Sequence, residues 1–275
     1  MMDGLTGLNA FLTRKQANQR LSSKLLKPVH DRFGGKLKML FCGGAFVDAD
    51  RAEFFYRLGI PVVIGYGLTE ACTVVTANDL KPFRADSVGR CVDGVEVRIV
   101  NPNATGVGEV QVRGDTLMLG YLDAPELTEA AFDDGWLVTG DLGHLDASGH
   151  LHLVGRSKNM IVTAGGKNIY PEDIEHAFEG VPVEELVVFA KNFLWPQATM
   201  VDEELVVVIR PESSADWLER LQQHNRRLPD FKRVSGYIIW DDDFPRTASM
   251  KIKRHTLAET LRTRLAAKDV EHIYA

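Results

Sequence analysis

Five short segments carry the side chains capable of chemistry. "GYGLTE" (65–70) closes the apolar run "IPVVI" and places a ring, a hydroxyl and a carboxylate, Tyr66, Thr69 and Glu70, side by side. "CGGA" (42–45) ends the earlier run "KLKMLF" in the same way. Glycine at such a turn permits positive φ and close approach of a ligand to the backbone, but either loop alone is equally an ordinary strand-to-helix turn. In "WLVTGDLGHLD" (136–146), the two oxygens of Asp141 could accept both hydroxyls of a vicinal diol; a turn aspartate bonding its own backbone looks the same. "GRSKNMIVTAGGKNIYPEDIE" (155–175) offers Arg156, Lys158, Gly165 and Gly166, either as a hinge beside a ligand or as a solvated loop. In "FPRTASMKIKR" (244–254), Lys251 sits in a Pro/Thr/Ser loop from which a mobile point charge could reach an anion, or it is an ordinary helix-start lysine.

Other candidates are weaker. His150 and His152 alternate with Leu151 and Leu153, which predicts a solvent-facing pair beside an apolar face rather than a metal site. Cys42, Cys72 and Cys91 have no metal spacing, and their odd number favours a reducing, cytoplasmic setting, with Cys72 near a ligand because it follows Glu70. Neither phosphate-binding fingerprint is present. "GGK" at 165–167 has Ile161 at the first-glycine position of a Walker loop, and "GYGLTE" has Glu70 where a dinucleotide loop needs its third glycine.

The elements that must position these residues follow from patterning. Residues 14–33 read as one helix, "KLKMLFCGGA" as a buried strand, 49–58 as a helix with Phe54, Phe55 and Leu58 inward, and "IPVVIGYG" as a second strand. Strand, helix, strand is a βαβ unit, whose ligand groups gather at the strand C-termini. From about residue 88, "VEVRIV", "GEVQVRG" and "GHLHLVGR" alternate as antiparallel strands of a small barrel do. Beyond Arg156 a helix begins at Pro171, strands fall at 185–190, 204–209 and 236–240, and helices at 214–226 and 255–267. The expected fold is α/β and α+β: a partial parallel subdomain (about 1–90), an antiparallel barrel-like subdomain (about 91–155), and a small mobile α+β domain (156–275) whose boundary lies at Arg156–Lys158.

Composition fits that plan. The 275 residues, 45% hydrophobic and 25% charged, can bury a core without staples, and a net charge of −6 argues against a nucleic-acid footprint. No run approaches the roughly 18 apolar residues of a membrane span, and no signal peptide is evident.

The order of the segments is more specific than any one of them. "GGA", "GYGLTE", "W-x-x-TGD", "GR-x-K" with "GGxNIxPxxIE", and "PRTxSxK" together resemble the adenylate-forming ligases, the superfamily of acyl-CoA synthetases, aryl-CoA ligases, luciferases and peptide-synthetase adenylation domains. The resemblance runs from about residue 20 to the end. Leu68 looks like the acyl- and aryl-CoA ligases, and "PVHDRFGGKLKMLFCGGA" most like long- or medium-chain fatty acyl-CoA synthetases.

This resemblance implies a role for each residue. Gly43, Gly44 and Ala45 line the adenine, Tyr66 stacks on it, and Gly67 gives the adenylate room. Thr69 bonds the phosphate and Glu70 helps hold Mg²⁺. Asp141 grips the ribose with Arg156 as its partner, and Lys158 is the hinge. Gly165 and Gly166 approach the pantetheine arm, and Lys251 contacts the reacting carboxylate and the α-phosphate. The implied substrates are ATP, a fatty or other carboxylic acid, and CoA, with AMP and pyrophosphate as products. A carrier-protein pantetheine as acceptor, or a non-catalytic remnant binding nucleotide or a partner, are the alternatives. The expected location is cytoplasmic or peripheral to a membrane.

The sequence departs from the family in places. No segment matches the phosphate loop SGTTGxPK that stands upstream of "GGA" in the family, so the resemblance implies a truncated or split form, inactive alone and open to self-association or to pairing with an N-terminal half. Met250 stands where a glycine usually precedes the lysine, Phe46 where a proline is common, and Asn159 where an acid often follows the hinge.

Overall fold

The computed structural model describes residues 7–9, 11–12, 18–163, 166–196, 204–212, 216–248 and 250–274. They form two compact units, 1–153 and 154–275.

In the first unit, strands β1 (Leu40–Gly43) and β2 (Val62–Tyr66) pair in parallel across the helix Ala49–Arg57, as the βαβ pattern requires. Asp48 caps that helix, accepting from Arg51 N at 2.8 Å. β2 is buried along its whole length, which is why it reads as an unbroken apolar run. Short strands β3 (Thr76–Ala77) and β4 (Arg90–Cys91) continue the sheet antiparallel, in the order β1-β2-β3-β4. A second sheet has the order β5 (Val95–Val100), β6 (Gly108–Gly114), β8 (Trp136–Leu145), β7 (Phe132–Asp133), and β9 (Leu151–Arg156) also pairs with β8. Its apolar face, Val95, Val110, Val112, Leu137 and Leu151, packs with Tyr66, Ala71 and Val75.

Three expectations for this unit change. The single helix over 14–33 is two short helices, Gln19–Leu25 and Lys27–Arg32, with residues 14–17 outside the described set. Pro28 lacks the N–H a continuous helix needs and its ring clashes with the preceding turn. Phe54 points outward and is 56% exposed; Ala52, Phe55 and Leu58 form the inner side of their helix. His150 is buried rather than solvent-facing: its Nε2 lies 3.0 Å from Asp79 Oδ2 and its Nδ1 shares a hydrogen bond with Ser148 Oγ at 2.9 Å. His152 is mostly covered as well, stacked on His144 at 4.8 Å, because polar side chains close the face opposite Leu151.

The second unit is a three-layer α/β/α sandwich on the sheet β12 (Val183–Ala190), β13 (Leu205–Pro211), β14 (Val234–Ile239), β15 (Glu271–His272). The β13–β14 pair is parallel and its neighbours antiparallel. Alternate residues face opposite cores. Val188, Ala190, Val207 and Ile209 meet Ile174, Phe178 and Leu221, whereas Val187, Phe189, Val206 and Val208 meet Leu257, Ala258 and Leu261. Both faces are covered, so "LVVVI" needs no polar alternation. The helix Pro171–Ala177 starts with proline in its first turn, where the missing N–H costs nothing. A two-stranded ribbon, β10 (Ile161–Val162) with β11 (Asn168–Ile169), precedes it. Among the described residues, no helix is long and apolar enough to cross a membrane.

Glu175 ties this unit together. Its Oε1 accepts from Val188 N at 2.7 Å and pairs with Arg254, whose Nη1 donates to Val188 O at 2.9 Å. Burial pushes the Glu175 carboxyl up to about 7 against the opposing pull of Arg254. The fold then binds this proton more tightly than the unfolded chain does. The associated stability is full below the ordinary value of 4.5 and is lost as pH rises through about 7. In urea unfolding followed by circular dichroism, the wild-type advantage over Glu175→Gln should therefore shrink between pH 5 and pH 8; a pH-independent difference contradicts this.

Candidate active site

β2 ends at Tyr66 and the chain turns through Gly67 and Leu68 into a 3-10 turn, Thr69–Ala71. The space beside Gly67 is taken by the chain itself: a Cβ there would stand 1.5 Å from Thr73 O. The returning backbone by itself requires a glycine at this position. Cys72 and Thr73 follow with φ of +49° and +76°, a conformation that costs non-glycine residues about 1–3 kcal/mol each. This strained return presents Thr69 at the surface and leaves Glu70 half-buried. The Tyr121 phenol donates to Glu70 Oε1 at 2.9 Å, and Met118 N donates to Glu70 O at 2.7 Å.

Asp141 is placed by a β-bulge. Pairing of β6 with β8 runs Gly108↔Gly143 and Glu109↔Leu142, then resumes at Gln111↔Val138, so Thr139–Asp141 oppose Val110 alone. A bulge of this kind re-aims the side chain it carries. Thr139 Oγ1 donates to Val110 O at 2.7 Å and accepts from Asp141 N at 3.0 Å, and Gly140 takes φ of +69°. The Asp141 carboxylate is buried, and the Tyr66 hydroxyl donates to its Oδ2 at 2.6 Å. That bond joins the C-terminal end of β2 to the bulge of β8. Gly43, Gly44 and Ala45 form an exposed turn at the end of β1, where Gly43 registers with Gly65.

The first unit thus brings Tyr66, Gly67, Thr69, Glu70 and Asp141 together around the end of β2. The remaining candidates belong to the second unit. Arg156 and Lys158 are exposed around the 3-10 turn Ser157–Asn159. Asn159 donates to Glu172 Oε1 at 2.7 Å, so an acid at 159 would confront a like charge here. Gly166 sits in the turn between β10 and β11, its N–H donating to Thr163 O at 2.9 Å; Gly165 lies outside the described residues. Lys251 is exposed on a tight loop closed by Thr247 N donating to Lys251 O at 2.8 Å and Met250 N donating to Thr247 O at 2.9 Å. The positive-φ turn survives the loss of glycine, since Met250 adopts φ of +66°.

Sequence reasoning assigned Tyr66 by its ring alone and passed over its hydroxyl. It passed over Tyr121 entirely, although "GYLDAPELT" (120–128) has a turn glycine, a helix-start proline and a threonine around that residue.

Two outcomes follow. Tyr66→Phe strips a hydrogen bond from a buried carboxylate and should lower stability by about 1.5–3 kcal/mol in urea unfolding, against under 0.5 kcal/mol for surface changes. Met250→Gly relieves a left-handed strain of about 1–2 kcal/mol and gives part of it back as chain entropy. It should leave the melting temperature unchanged or raise it slightly, while Met250→Val lowers it; the reverse order contradicts the strain.

A family model for AMP-binding enzymes matches residues 5–122. The chain is 30% identical over 274 residues to a long-chain-fatty-acid–CoA ligase of Mycobacterium bovis, covering 88% of this chain and 42% of the relative. It is 32% identical over 237 residues to one of Drosophila melanogaster, covering 81% and 34%. Among solved structures, the ATP-bound form of MatB from Rhodopseudomonas palustris matches with a TM-score of 0.65 at 30% identity, over 82% of this chain and 45% of that one. The chain spans less than half the length of these relatives. In motif order, sequence and fold, it matches the adenylate-forming, AMP-binding ligases.

Proposed function

We propose that this chain supplies the ribose-gripping, phosphate-contacting and lysine-bearing parts of an AMP-forming acyl-CoA synthetase acting on fatty acids. The observation that carries the reading is the buried Asp141 carboxylate on its bulge, held by Tyr66 beside the Thr69–Glu70 turn. A carboxylate kept buried and oriented suits a vicinal diol of the kind a ribose offers. Thr69 Oγ1 is the donor for the adenylate phosphate, and the turn Gly43–Ala45 borders the base with the Tyr66 ring. The Glu70 carboxylate, half-buried and adjoining the Thr69 hydroxyl, is a hard oxygen donor that fits Mg²⁺, which would supply positive charge near the phosphates.

In the first step a fatty-acid carboxylate oxygen attacks the α-phosphorus of ATP; the new O–P bond forms as the bond to pyrophosphate breaks. Lys251, an exposed cation on a short loop, stabilises the charge that develops on the α-phosphate. In the second step the CoA thiol attacks the acyl carbon, AMP leaves with the C–O electron pair, and the thiol proton is released. Gly165 and Gly166 border the pantetheine arm, Arg156 joins the ribose contact, and the second unit swings about Lys158 between steps.

The test is fatty-acid-dependent ATP–pyrophosphate exchange, then thioester formation, with the chain alone and with a complementary N-terminal half supplied in trans. Exchange should require the added half and fall about 100-fold in Lys251→Ala. CoA should be the acceptor. Transfer to carrier-protein pantetheine alone would replace CoA in this reading, and absence of exchange with every acid would overturn it.

A further inference from the structure

Glu70 is held from outside its own loop, and the segment that holds it has no role so far. Residues 117–121 dock on Glu70 twice: through Met118 N to Glu70 O at 2.7 Å, and through the Tyr121 hydroxyl to Glu70 Oε1 at 2.9 Å. Leu117 and Met118 pack against the core of the half-barrel, so the main-chain contact rests on a fixed base. Tyr121 is fixed in turn by the next helix, Pro125–Ala131: Thr128 Oγ1 accepts from Tyr121 N at 2.8 Å and donates to Ala124 O at 3.0 Å. The line of support runs from Thr128 to the Tyr121 backbone and from its phenol to the Glu70 carboxylate.

The tyrosine is not there for packing. It is 40% exposed, and its flanking residues Leu119 and Leu122 are 103% and 92% exposed, so the ring adds little to the core. The hydroxyl engages one carboxylate oxygen only, and Glu70 Oε2 has no hydrogen-bond partner among the described residues. A phenol donor also leaves the charge of the carboxylate intact, unlike an arginine or lysine, which would compete with a cation for it.

We propose that Tyr121 is a positioning residue that locks the Glu70 side chain with Oε2 available to a divalent cation, and that Thr128 sets the position of Tyr121. This rests on the assignment of Glu70 as a metal-holding group. A glutamate free to rotate loses side-chain freedom on binding a cation; one already held does not, and hard cations are selective for such preset oxygen geometry.

The test uses the whole chain with Mn²⁺ and ATP, read by water-proton relaxation enhancement, which reports the metal on the protein without turnover. Wild type should give enhanced relaxation and Glu70→Gln should lose it. Tyr121→Phe should weaken Mn²⁺ affinity three- to tenfold at unchanged metal-free ATP binding and unchanged melting temperature. A second readout needs no variant at this position: Mn²⁺ should perturb the tyrosine difference absorbance of wild type, and the perturbation should vanish in Glu70→Gln. If Glu70→Gln binds Mn²⁺ like wild type, or wild type shows no enhancement, the metal assignment itself fails and the proposal with it. If Glu70→Gln loses Mn²⁺ but Tyr121→Phe keeps full affinity, the metal assignment stands and the role of Tyr121 is overturned.

Discussion

The bond from the Tyr66 hydroxyl to Asp141 Oδ2 is the constraint on which the first unit's site depends. Its two ends come from different sheets, one from the parallel pair β1–β2 and the other from the bulged strand β8. Burying a carboxylate carries a desolvation cost, and the phenol's hydrogen bond offsets part of it at Asp141. In return the carboxylate fixes where β2 must end. Tyr66 is itself a member of the half-barrel core, so packing and hydrogen bonding agree on the same position for the ring. The strained return at Cys72 and Thr73 and the missing side chain at Gly67 are consequences: the chain has to double back within a few residues to keep Tyr66 inside while exposing Thr69.

The second unit solves a different problem. Its functional candidates lie on short loops, and each loop is held by a rigid element beside it. The sheet carries two apolar faces, and the Glu175–Arg254 pair joins the helix Pro171–Ala177 to the helix Arg254–Arg264 through Val188 on β12. The loop bearing Lys251 leads directly into the second of those helices, and Asn159 is tied to Glu172 in the first. Lys251 is thus an exposed cation carried close to the start of a fixed helix.

Much of this was legible in the sequence, for reasons that can be given residue by residue. "IPVVI" announced a buried strand, and Pro171 with Glu172 and Asp173 announced a helix start. The parallel pair, the antiparallel half-barrel and the closing α/β layers follow from such local signals. Pairwise facts did not. Nothing near Pro28 in the periodicity of 14–33 marks a break except the proline itself, whose effect is steric. Phe54 and Phe55 are equally apolar, and only the packing of Ala52 decides which turns inward. The burial of His150 depends on Asp79, 71 positions away, by subtraction of their numbers. Period-2 alternation tells which residues share a face, not whether that face is covered.

The same limit explains why the hydroxyls of the two site tyrosines were invisible. A motif names the residues that touch a ligand, and it says nothing of what holds those residues still. Both site carboxylates of the first unit, Asp141 and Glu70, accept a hydrogen bond from a phenol on a distant segment, at 2.6 Å and 2.9 Å. One pair is buried and the other half-exposed, which suits the proposed tasks: a carboxylate fixed in its pocket can accept from both hydroxyls of a diol, and one open to water on one side can meet a hydrated cation. A tyrosine serves both because it donates a single proton, adds no charge and brings a rigid ring that few rotatable bonds can displace. Supporting residues of this type are found by asking of each acid in a motif which donor keeps it in place, and the answer lies in the fold rather than in the spacing.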